Sequence, residues 1–389
     1  MTVELVERVR RRLASDGGGL DPAAVAEAVR AESGGVASHL DVLRALRQLR
    51  RELVGTGPLE PLLADPAVTD VLVTGPAEVW VDGQAGLRRT GVTFPDDEAV
   101  RRFAQRLALA AGRRLDDSQP FVDGWLPGSG LWGGVRLHAV LSPVAANGTC
   151  VSLRVLRPAT HDLATLARLG TVDDTETALL EAVVAARLAL LVTGATGSGK
   201  TTLLAALLGQ VPPTERIVCV EDVGELQPAH PQFVRLTARP ANIEGAGEVT
   251  LCDLVRQALR MRPDRLVVGE VRGSEVCELL TALNTGHDGG AGTVHANSPR
   301  EVPARMEALA ALGGLPRAAL HSQLAAAVRV VVHMCRDRDG ERRLGEIAVL
   351  HRCRSGRVEV RPVRRHGRWT EHRDELADLL AERGGRLPC

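Results

Sequence analysis

The second half of the chain alternates between short apolar runs and longer segments in which apolar residues recur every three or four positions. The apolar runs lie within 188–192, 216–222, 265–273 and 292–298. Such runs are typical of strands buried on both faces of a parallel sheet, and the segments between them are typical of crossover helices. The pattern from Thr171 onward therefore predicts an α/β domain with a parallel sheet.

The first half of the chain has a different pattern. Residues 1–54 carry apolar side chains at helical spacing, interrupted by glycines, which predicts a helical N-terminal segment. Residues 55–157 contain four stretches of alternating apolar and polar residues and one acid-capped amphipathic stretch, which predicts an α+β domain. The predicted helices are 3–13, 22–31, 39–53 and 96–111, and the predicted strands are 69–74, 78–81, 134–141 and 150–155.

The remaining boundaries follow from changes in composition. Residues 158–170 contain Pro158 and Gly170 and little periodicity, which predicts an interdomain linker. The parallel-sheet domain is then expected over 171–335. The chain becomes rich in Arg and Glu after this point, so residues 336–389 are expected to form a C-terminal extension. Strands are predicted there at 344–350 and 357–363, and a helix at 371–383.

The first apolar run of the parallel-sheet domain leads into a P-loop. The sequence fits G-x-x-x-x-G-K-[ST], with an apolar run before it and a helical pattern after it. Backbone N–H groups of such a loop bind phosphate oxygens, the lysine binds the β- and γ-phosphates, and the hydroxyl after it binds Mg²⁺. ATP and Mg²⁺ are therefore the predicted ligands. The predicted nucleotide-binding residues are Gly194, Ala195, Thr196, Gly197, Ser198, Gly199, Lys200, Thr201 and Thr202.

Composition adds one observation about this loop. The chain has 48 Lys and Arg residues, and Lys200 is the only lysine among them. The wide planar guanidinium of arginine does not fit a loop that encloses a compact ammonium. A lysine at this one position is what a phosphate-binding role requires.

Three more polar groups follow predicted strands of the same sheet. Glu221 closes the run 216–222, Glu270 closes the next run, and His295 follows the last. Ligand sites gather at the carboxyl ends of parallel strands, so these side chains are candidates for orienting water, supporting Mg²⁺ and contacting the γ-phosphate, respectively. The alternatives are structural: a loop terminus for Glu221, an ion pair with Arg272 for Glu270, and a structural histidine for His295.

Charge and cysteine usage limit the remaining function classes. The formal net charge is 0, which gives no electrostatic argument for direct nucleic-acid binding. The sequence contains no run of 18 apolar residues, so no transmembrane helix is predicted. Residues 1–12 do not resemble a secretory signal. The seven cysteines form no C-x-x-C pair. A cytosolic protein without a structural zinc site is expected.

The four motifs together resemble the type II/type IV secretion ATPase superfamily, which shares a P-loop, an acidic box, a Walker B ending in Gly-Glu and a His box. The similarity is greatest to the Tad/Flp pilus-assembly branch. It spans roughly residues 55–335, and the four-cysteine metal site of the type II and type IV pilus branches is missing. The stretches that carry the branch resemblance are 57–63, 69–76, 152–154, 259–265, 284–290 and 293–297.

The resemblance implies a RecA-like P-loop NTPase domain preceded by a smaller PAS-like α+β domain and a helical arm. It implies a hexameric cytoplasmic motor that hydrolyses ATP beside an inner-membrane platform protein, to drive pilus assembly or protein secretion. Glu221 would be the catalytic carboxylate, Glu270 and Thr201 would hold Mg²⁺, and His295 would contact the γ-phosphate. The arginines that would reach the phosphates are Arg136, Arg154 and Arg157 of the first domain and, across a subunit boundary, Arg260 and Arg262.

Two other functions remain open from the sequence. A motor of the same kind is able to serve conjugation-like DNA transfer through a partner that handles the DNA. A nucleotide-binding regulator that never hydrolyses ATP is the other alternative, although it has no need for both Glu221 and Glu270. The first-domain arginines have a structural alternative as well, as solvated residues at strand edges.

Overall fold

A computed structural model describes most of the chain and divides it into two compact units, residues 1–157 and 158–389. Residues 8–9, 12, 22–32, 56–83, 85–126, 134–156, 160–239, 241, 245–337 and 340–388 are described. Arg157 and the predicted helix 39–53 lie outside these residues, and of the predicted helix 3–13 only residues 8, 9 and 12 are described. The predicted helix at 22–31 is present as Pro22–Glu32.

The first unit contains a six-stranded antiparallel sheet in the order β3-β2-β1-β6-β5-β4. Alternate residues of β1 and β6, such as Val71 and Val151, are buried against Phe103 and its neighbours on the helix Asp97–Ala110. Asp96 begins this helix by accepting a hydrogen bond from the Ala99 backbone N–H at 2.7 Å. The strands are β1 Val68–Thr74, β2 Val79–Gly83, β3 Arg88–Arg89, β4 Phe121–Leu126, β5 Val135–Val140 and β6 Cys150–Val155. Short helices span Gly57–Leu59 and Glu60–Ala64.

The second unit is organised around a nine-stranded sheet in the order β15-β14-β13-β12-β7-β11-β10-β8-β9. Within the described residues, the six strands from β12 to β9 are parallel to their neighbours, and β13, β14 and β15 are antiparallel. The strands are β7 Leu190–Gly194, β8 Ile217–Glu221, β9 Phe233–Thr237, β10 Arg265–Val268, β11 Ala291–Val294, β12 Val330–Arg336, β13 Arg342–Arg352, β14 Val358–Arg365 and β15 Arg368–Trp369.

Helices cover both faces of this sheet. Neighbouring residues of each parallel strand point to opposite faces, so the strands present apolar side chains on both faces, and both must be buried. Val192 of β7 belongs to one hydrophobic core and Leu191 to the other. The α/β fold predicted from the apolar runs is therefore confirmed. The helices are Leu163–Arg168, Asp174–Ala185, Lys200–Leu208, Leu251–Ala258, Glu275–Leu283, Val302–Leu312, Arg317–Ala327 and Arg373–Ala381, with single turns at Leu259–Met261 and Pro299–Glu301.

Two segments differ from the sequence-based expectation. The predicted linker at 158–170 contains the helix Leu163–Arg168, whose Leu163 and Leu166 are buried in the core of the second unit. The C-terminal segment does not stand apart from the parallel-sheet domain. Its strands β13 to β15 extend the same sheet, and the helix Arg373–Ala381 packs two leucines into the same core.

Within the part of the chain that is described, no helix is both long enough and apolar enough to cross a membrane.

Candidate nucleotide-binding site

The P-loop connects the end of β7 to the start of the helix Lys200–Leu208, as the sequence predicts. Gly194, Gly197 and Gly199 have φ values of +146°, +74° and +95°, which side-chain-bearing residues rarely adopt. A Cβ on Gly194 would lie 2.3 Å from the carbonyl oxygen of Met334 on β12. The turn therefore depends on glycine for both its conformation and its close packing.

Lys200 is folded against the inside of this loop. Its Nζ donates hydrogen bonds to the carbonyl oxygens of Gly194 and Ala195 at 3.0 and 2.9 Å, and only 7% of the residue is exposed. Burial lowers the pKa of Lys200, and the charges of Glu270 and Glu225 oppose that shift. The ammonium thus interacts electrostatically with two acidic side chains.

The carboxyl ends of four neighbouring parallel strands meet beside the P-loop. In the sheet register, Thr193 of β7 lies opposite Val294 of β11, and Val268 of β10 lies opposite Val220 of β8. The residues that follow these positions, Gly194, His295, Gly269 and Glu221, therefore lie along one edge of the sheet. Parallel pairing brings together groups that are separated by up to a hundred residues in the sequence.

Glu221 faces the loop that follows its own strand. Its Oε1 accepts hydrogen bonds from the backbone N–H groups of Glu225 and Leu226 at 3.1 and 3.0 Å, and the residue is only 4% exposed. Burial raises the pKa of Glu221 to about 7, and the two backbone hydrogen bonds oppose that shift. A Cβ on residue 269 would lie 2.5 Å from Cγ of Glu221, which explains why glycine precedes Glu270.

Glu225 is a candidate site residue that the sequence patterns do not indicate. Its Oε2 lies 3.5 Å from the hydroxyl oxygen of Thr201, the predicted Mg²⁺ ligand of the P-loop. The carboxylate reaches this position because Glu221 fixes the backbone at Glu225 and Leu226. The available signal was a second acid four residues after the strand end.

Glu270 and His295 contact each other at the same edge. Nε2 of His295 lies 2.8 Å from Oε1 of Glu270, and each side chain is 38% exposed. Burial and the charge of Lys200 lower the pKa of His295, while Glu270 opposes the shift. Arg272, the structural partner suggested for Glu270, forms an ion pair with Asp222.

The first-unit arginines lie on neighbouring strands and are already ion-paired. Arg136 and Arg154 are opposite each other in the register of β5 and β6. Arg136 forms a bidentate pair with Asp123 at 3.1 and 2.9 Å, and Arg154 donates to Asp70 at 2.8 Å. The structure therefore places these two side chains together on one face of the first sheet, each with an acidic partner.

The second-unit arginines lie away from the P-loop edge. Arg260 belongs to the turn Leu259–Met261, and Arg262 follows it with a φ of +54°. Both precede β10, so they lie at the amino end of a strand whose carboxyl end leads to Glu270. They are not brought to the P-loop of their own chain.

The residues present fit a magnesium nucleotide. Because glycines carry no side chain, the inside of the loop has room for phosphate oxygens that bind to backbone N–H groups. The helix Lys200–Leu208 begins at the end of the loop. Ser198 Oγ is buried without a hydrogen-bond partner among the described residues. Thr201, Glu225 and Glu270 supply the oxygen ligands that Mg²⁺ prefers. The same edge thus provides positive groups for phosphates and oxygen groups for a divalent cation.

The chain is similar to known proteins over most of its length. The family described as "Type II/IV secretion system protein" matches residues 52–371. The putative conjugal transfer protein Rv3659c of Mycobacterium tuberculosis is 65% identical over 345 residues, which cover 88% of this chain and 98% of that protein. The type IV secretion system protein PtlH of Bordetella pertussis is 33% identical over 268 residues, covering 62% of this chain and 76% of PtlH.

A solved structure shows the same fold. The ATPase DotB of Legionella pneumophila superposes with a TM-score of 0.52 at 20% identity, covering 72% of this chain and 77% of DotB. The family match extends over most of the chain and includes the P-loop and all the acidic and histidine groups at its edge. This protein belongs to the type II/IV secretion system protein family.

Proposed function

We propose that this protein hydrolyses ATP and that hydrolysis drives a secretion or pilus-assembly machine. The observation that carries the proposal is the meeting of Lys200, Thr201, Glu225, Glu270 and His295 at one edge of the parallel sheet. These groups supply the positive charge, the hydroxyl and the carboxylates that phosphoryl transfer from a nucleotide requires.

Each residue has a separate role in this proposal. The P-loop backbone and Lys200 bind the phosphates, and Thr201 and Glu270 hold Mg²⁺, which supplies positive charge to the phosphate oxygens when bound. His295 contacts the γ-phosphate from the side of β11. Glu221 was predicted to orient the attacking water, but it faces two backbone N–H groups of its own loop. We therefore propose that Glu225 orients the water and that Glu221 positions Glu225.

The motor is proposed to act as a homo-hexamer at the cytoplasmic face of the cell membrane, against an inner-membrane platform protein. Its support is the resemblance of 259–265, 284–290 and 293–297 to the Tad/Flp pilus-assembly branch. An arginine from outside the parallel sheet is proposed to complete the site, with Arg136, Arg154 and Arg157 as candidates. Arg260 and Arg262 are candidates for a neighbouring subunit's site.

A second cargo is favoured by one specific observation. Rv3659c, which is 65% identical, is named a putative conjugal transfer protein. Under this alternative the same ATPase serves DNA transfer, and a partner binds the DNA because the formal net charge of this chain is 0. Deleting the gene separates the two cargoes: loss of surface pili or of a secreted protein supports the first proposal, and loss of DNA transfer alone supports the second.

The test of the ATPase proposal is phosphate release from ATP by the purified full chain. Wild type should hydrolyse ATP, and Lys200→Ala and Lys200→Arg should not, because neither side chain places a compact ammonium inside the loop. Thermal unfolding without nucleotide shows whether each variant is folded. Nucleotide binding by wild type without any phosphate release would indicate a regulator instead, and full activity of Lys200→Arg would contradict the assigned role of the loop.

A further inference from the structure

Arg342, at the start of β13, contacts the tip of the P-loop from the C-terminal segment. Its Nε donates a hydrogen bond to the carbonyl oxygen of Gly197 at 3.0 Å, across 145 residues of sequence. Its Cδ would lie 3.3 Å from a Cβ on Gly199. The sheet explains the contact, because Met334 of β12 pairs with Gly194 and Arg336 pairs with Arg342.

The rest of the Arg342 guanidinium has no protein partner among the described residues. The side chain is exposed, and its two Nη groups take part in no hydrogen bond or ion pair there. The next residue behaves differently: Arg343 pairs with Asp337 at 3.3 Å and with Glu341 at 2.6 Å. Successive residues of a strand point to opposite faces, so only Arg342 is directed to the P-loop.

We propose that Arg342 is a nucleotide-binding residue that sets the affinity of the P-loop for nucleotide phosphates. This inference rests on the proposed ATPase function. Nε fixes the tip of the loop through Gly197, which leaves the Nη groups of the same planar guanidinium to bind a phosphate oxygen. Arginine suits this double contact because its donors form a rigid fork that matches phosphate geometry.

The contact is expected to strengthen binding without accelerating hydrolysis. Arg342 holds the loop tip, whereas the groups that would act on the γ-phosphate lie at the ends of β8, β10 and β11. An interaction made equally in the ground state and the transition state lowers KM and leaves kcat unchanged. ADP and ATP should therefore lose affinity together when Arg342 is removed.

The test measures the Kd of a fluorescent ADP and of ATP with Mg²⁺ on the full chain. Arg342→Ala should raise both values about tenfold, as expected for the loss of one charge-assisted hydrogen bond, while kcat at saturating ATP changes less than about threefold. Arg342→Lys keeps the charge but not the fork, so its Kd values should lie between those of wild type and Arg342→Ala. The matched control Arg343→Ala should bind both nucleotides like wild type.

Three results would overturn the inference: unchanged Kd values in Arg342→Ala, tighter binding, or an equal loss in Arg343→Ala. Thermal unfolding without nucleotide identifies a variant that fails to fold. If Arg342→Ala does not fold, the Kd values of Arg342→Lys are compared with those of wild type instead. Failure of the ATPase proposal gives a different result, because wild type itself would then release no phosphate from ATP, whether or not it binds nucleotide.

Discussion

Oε2 of Glu225 lies 3.5 Å from the hydroxyl oxygen of Thr201, whereas the carboxylate of Glu221 accepts hydrogen bonds from the backbone N–H groups of Glu225 and Leu226. Glu225→Gln removes a proton acceptor beside Thr201, the proposed Mg²⁺ ligand, and keeps the shape of the side chain. ATP should still bind, and turnover should fall by ~10²–10⁴-fold. Steady-state phosphate release and nucleotide titration measure the two effects.

Glu221→Gln distinguishes the two acids. Its amide oxygen still accepts the backbone hydrogen bonds, so turnover should fall less than in Glu225→Gln. The exposed helix variant Glu181→Gln serves as a control and should resemble wild type. A larger loss in Glu221→Gln than in Glu225→Gln would return the water-orienting role to Glu221.

The raised pKa of Glu221 makes stability depend on pH. Because burial raises the folded-state pKa to about 7, the folded protein holds this proton more tightly than the unfolded chain does. The resulting stabilisation is complete below the ordinary glutamate pKa and is lost as the pH rises through about 7. Glu221→Gln does not titrate. The unfolding free energy of Glu221→Gln minus that of wild type should therefore increase by on the order of 1–3 kcal/mol when the pH is raised from about 5 to about 8.

Urea unfolding of both proteins at the two pH values measures this gain. The charge of Arg235 and the two backbone hydrogen bonds lower the Glu221 pKa, and the charge of Glu225 raises it. The Glu181 side chain is exposed, so Glu181→Gln provides the baseline for the pH dependence of the unfolding free energy. An identical pH dependence in wild type and Glu221→Gln would show that Glu221 titrates like an exposed carboxyl.

Glu270 and His295 are in contact, but removing each should change the Mg²⁺ dependence of turnover differently. Glu270→Gln should make turnover depend more steeply on Mg²⁺ concentration, because a neutral amide is a weaker partner for the hydrated cation. His295→Ala removes the proposed γ-phosphate contact and should lower turnover at every Mg²⁺ concentration. Phosphate release across a Mg²⁺ titration separates the two. Equal Mg²⁺ dependence in both variants would remove the reason for giving them different roles.

The first unit is predicted to be necessary for hydrolysis. A chain of residues 158–389 should bind nucleotide weakly and barely hydrolyse it, because an arginine supplied from outside a P-loop domain can be worth ~10³–10⁵ in rate. Specific activity of the full chain should also rise with protein concentration as subunits assemble. Full and concentration-independent activity of residues 158–389 would refute this proposal.

Arg154→Ala tests one candidate for that arginine within the full chain. It should lower turnover much more than ATP affinity. The control is Arg102→Ala, since Arg102 is an exposed arginine of the same unit that also pairs with an acid, Glu98. Equal activity of the two variants would assign Arg154 to its ion pair with Asp70 alone.

The P-loop was predictable from sequence because all its requirements are local. Gly194, Gly199, Lys200 and Thr201 lie within eight consecutive positions, and their flanking strand and helix are visible as apolar patterns. The meeting of Glu270 and His295 followed from one rule, that parallel strands end at the same edge. Both inferences needed only the order of strands and helices along the chain.

Other features depended on packing that the pattern does not encode. Glu225 reaches Thr201 only because the loop folds back onto the carboxylate of Glu221. The helix Leu163–Arg168 is too short to show a periodicity in the sequence. The strands after residue 335 have the same apolar pattern whether they form a sheet of their own or extend another sheet. The sequence alone does not place Arg342 at the P-loop, because its position depends on which sheet β13 joins.

The burial of Lys200 has a consequence for proteolysis. A protease that cleaves only after lysine has one possible target in this chain, the Lys200–Thr201 bond, because the chain contains no other lysine. That bond lies in the first turn of a helix, with its lysine 7% exposed, so cleavage requires the loop and helix to open locally. A single cut would divide the chain in two, and its rate would report directly how often the P-loop opens.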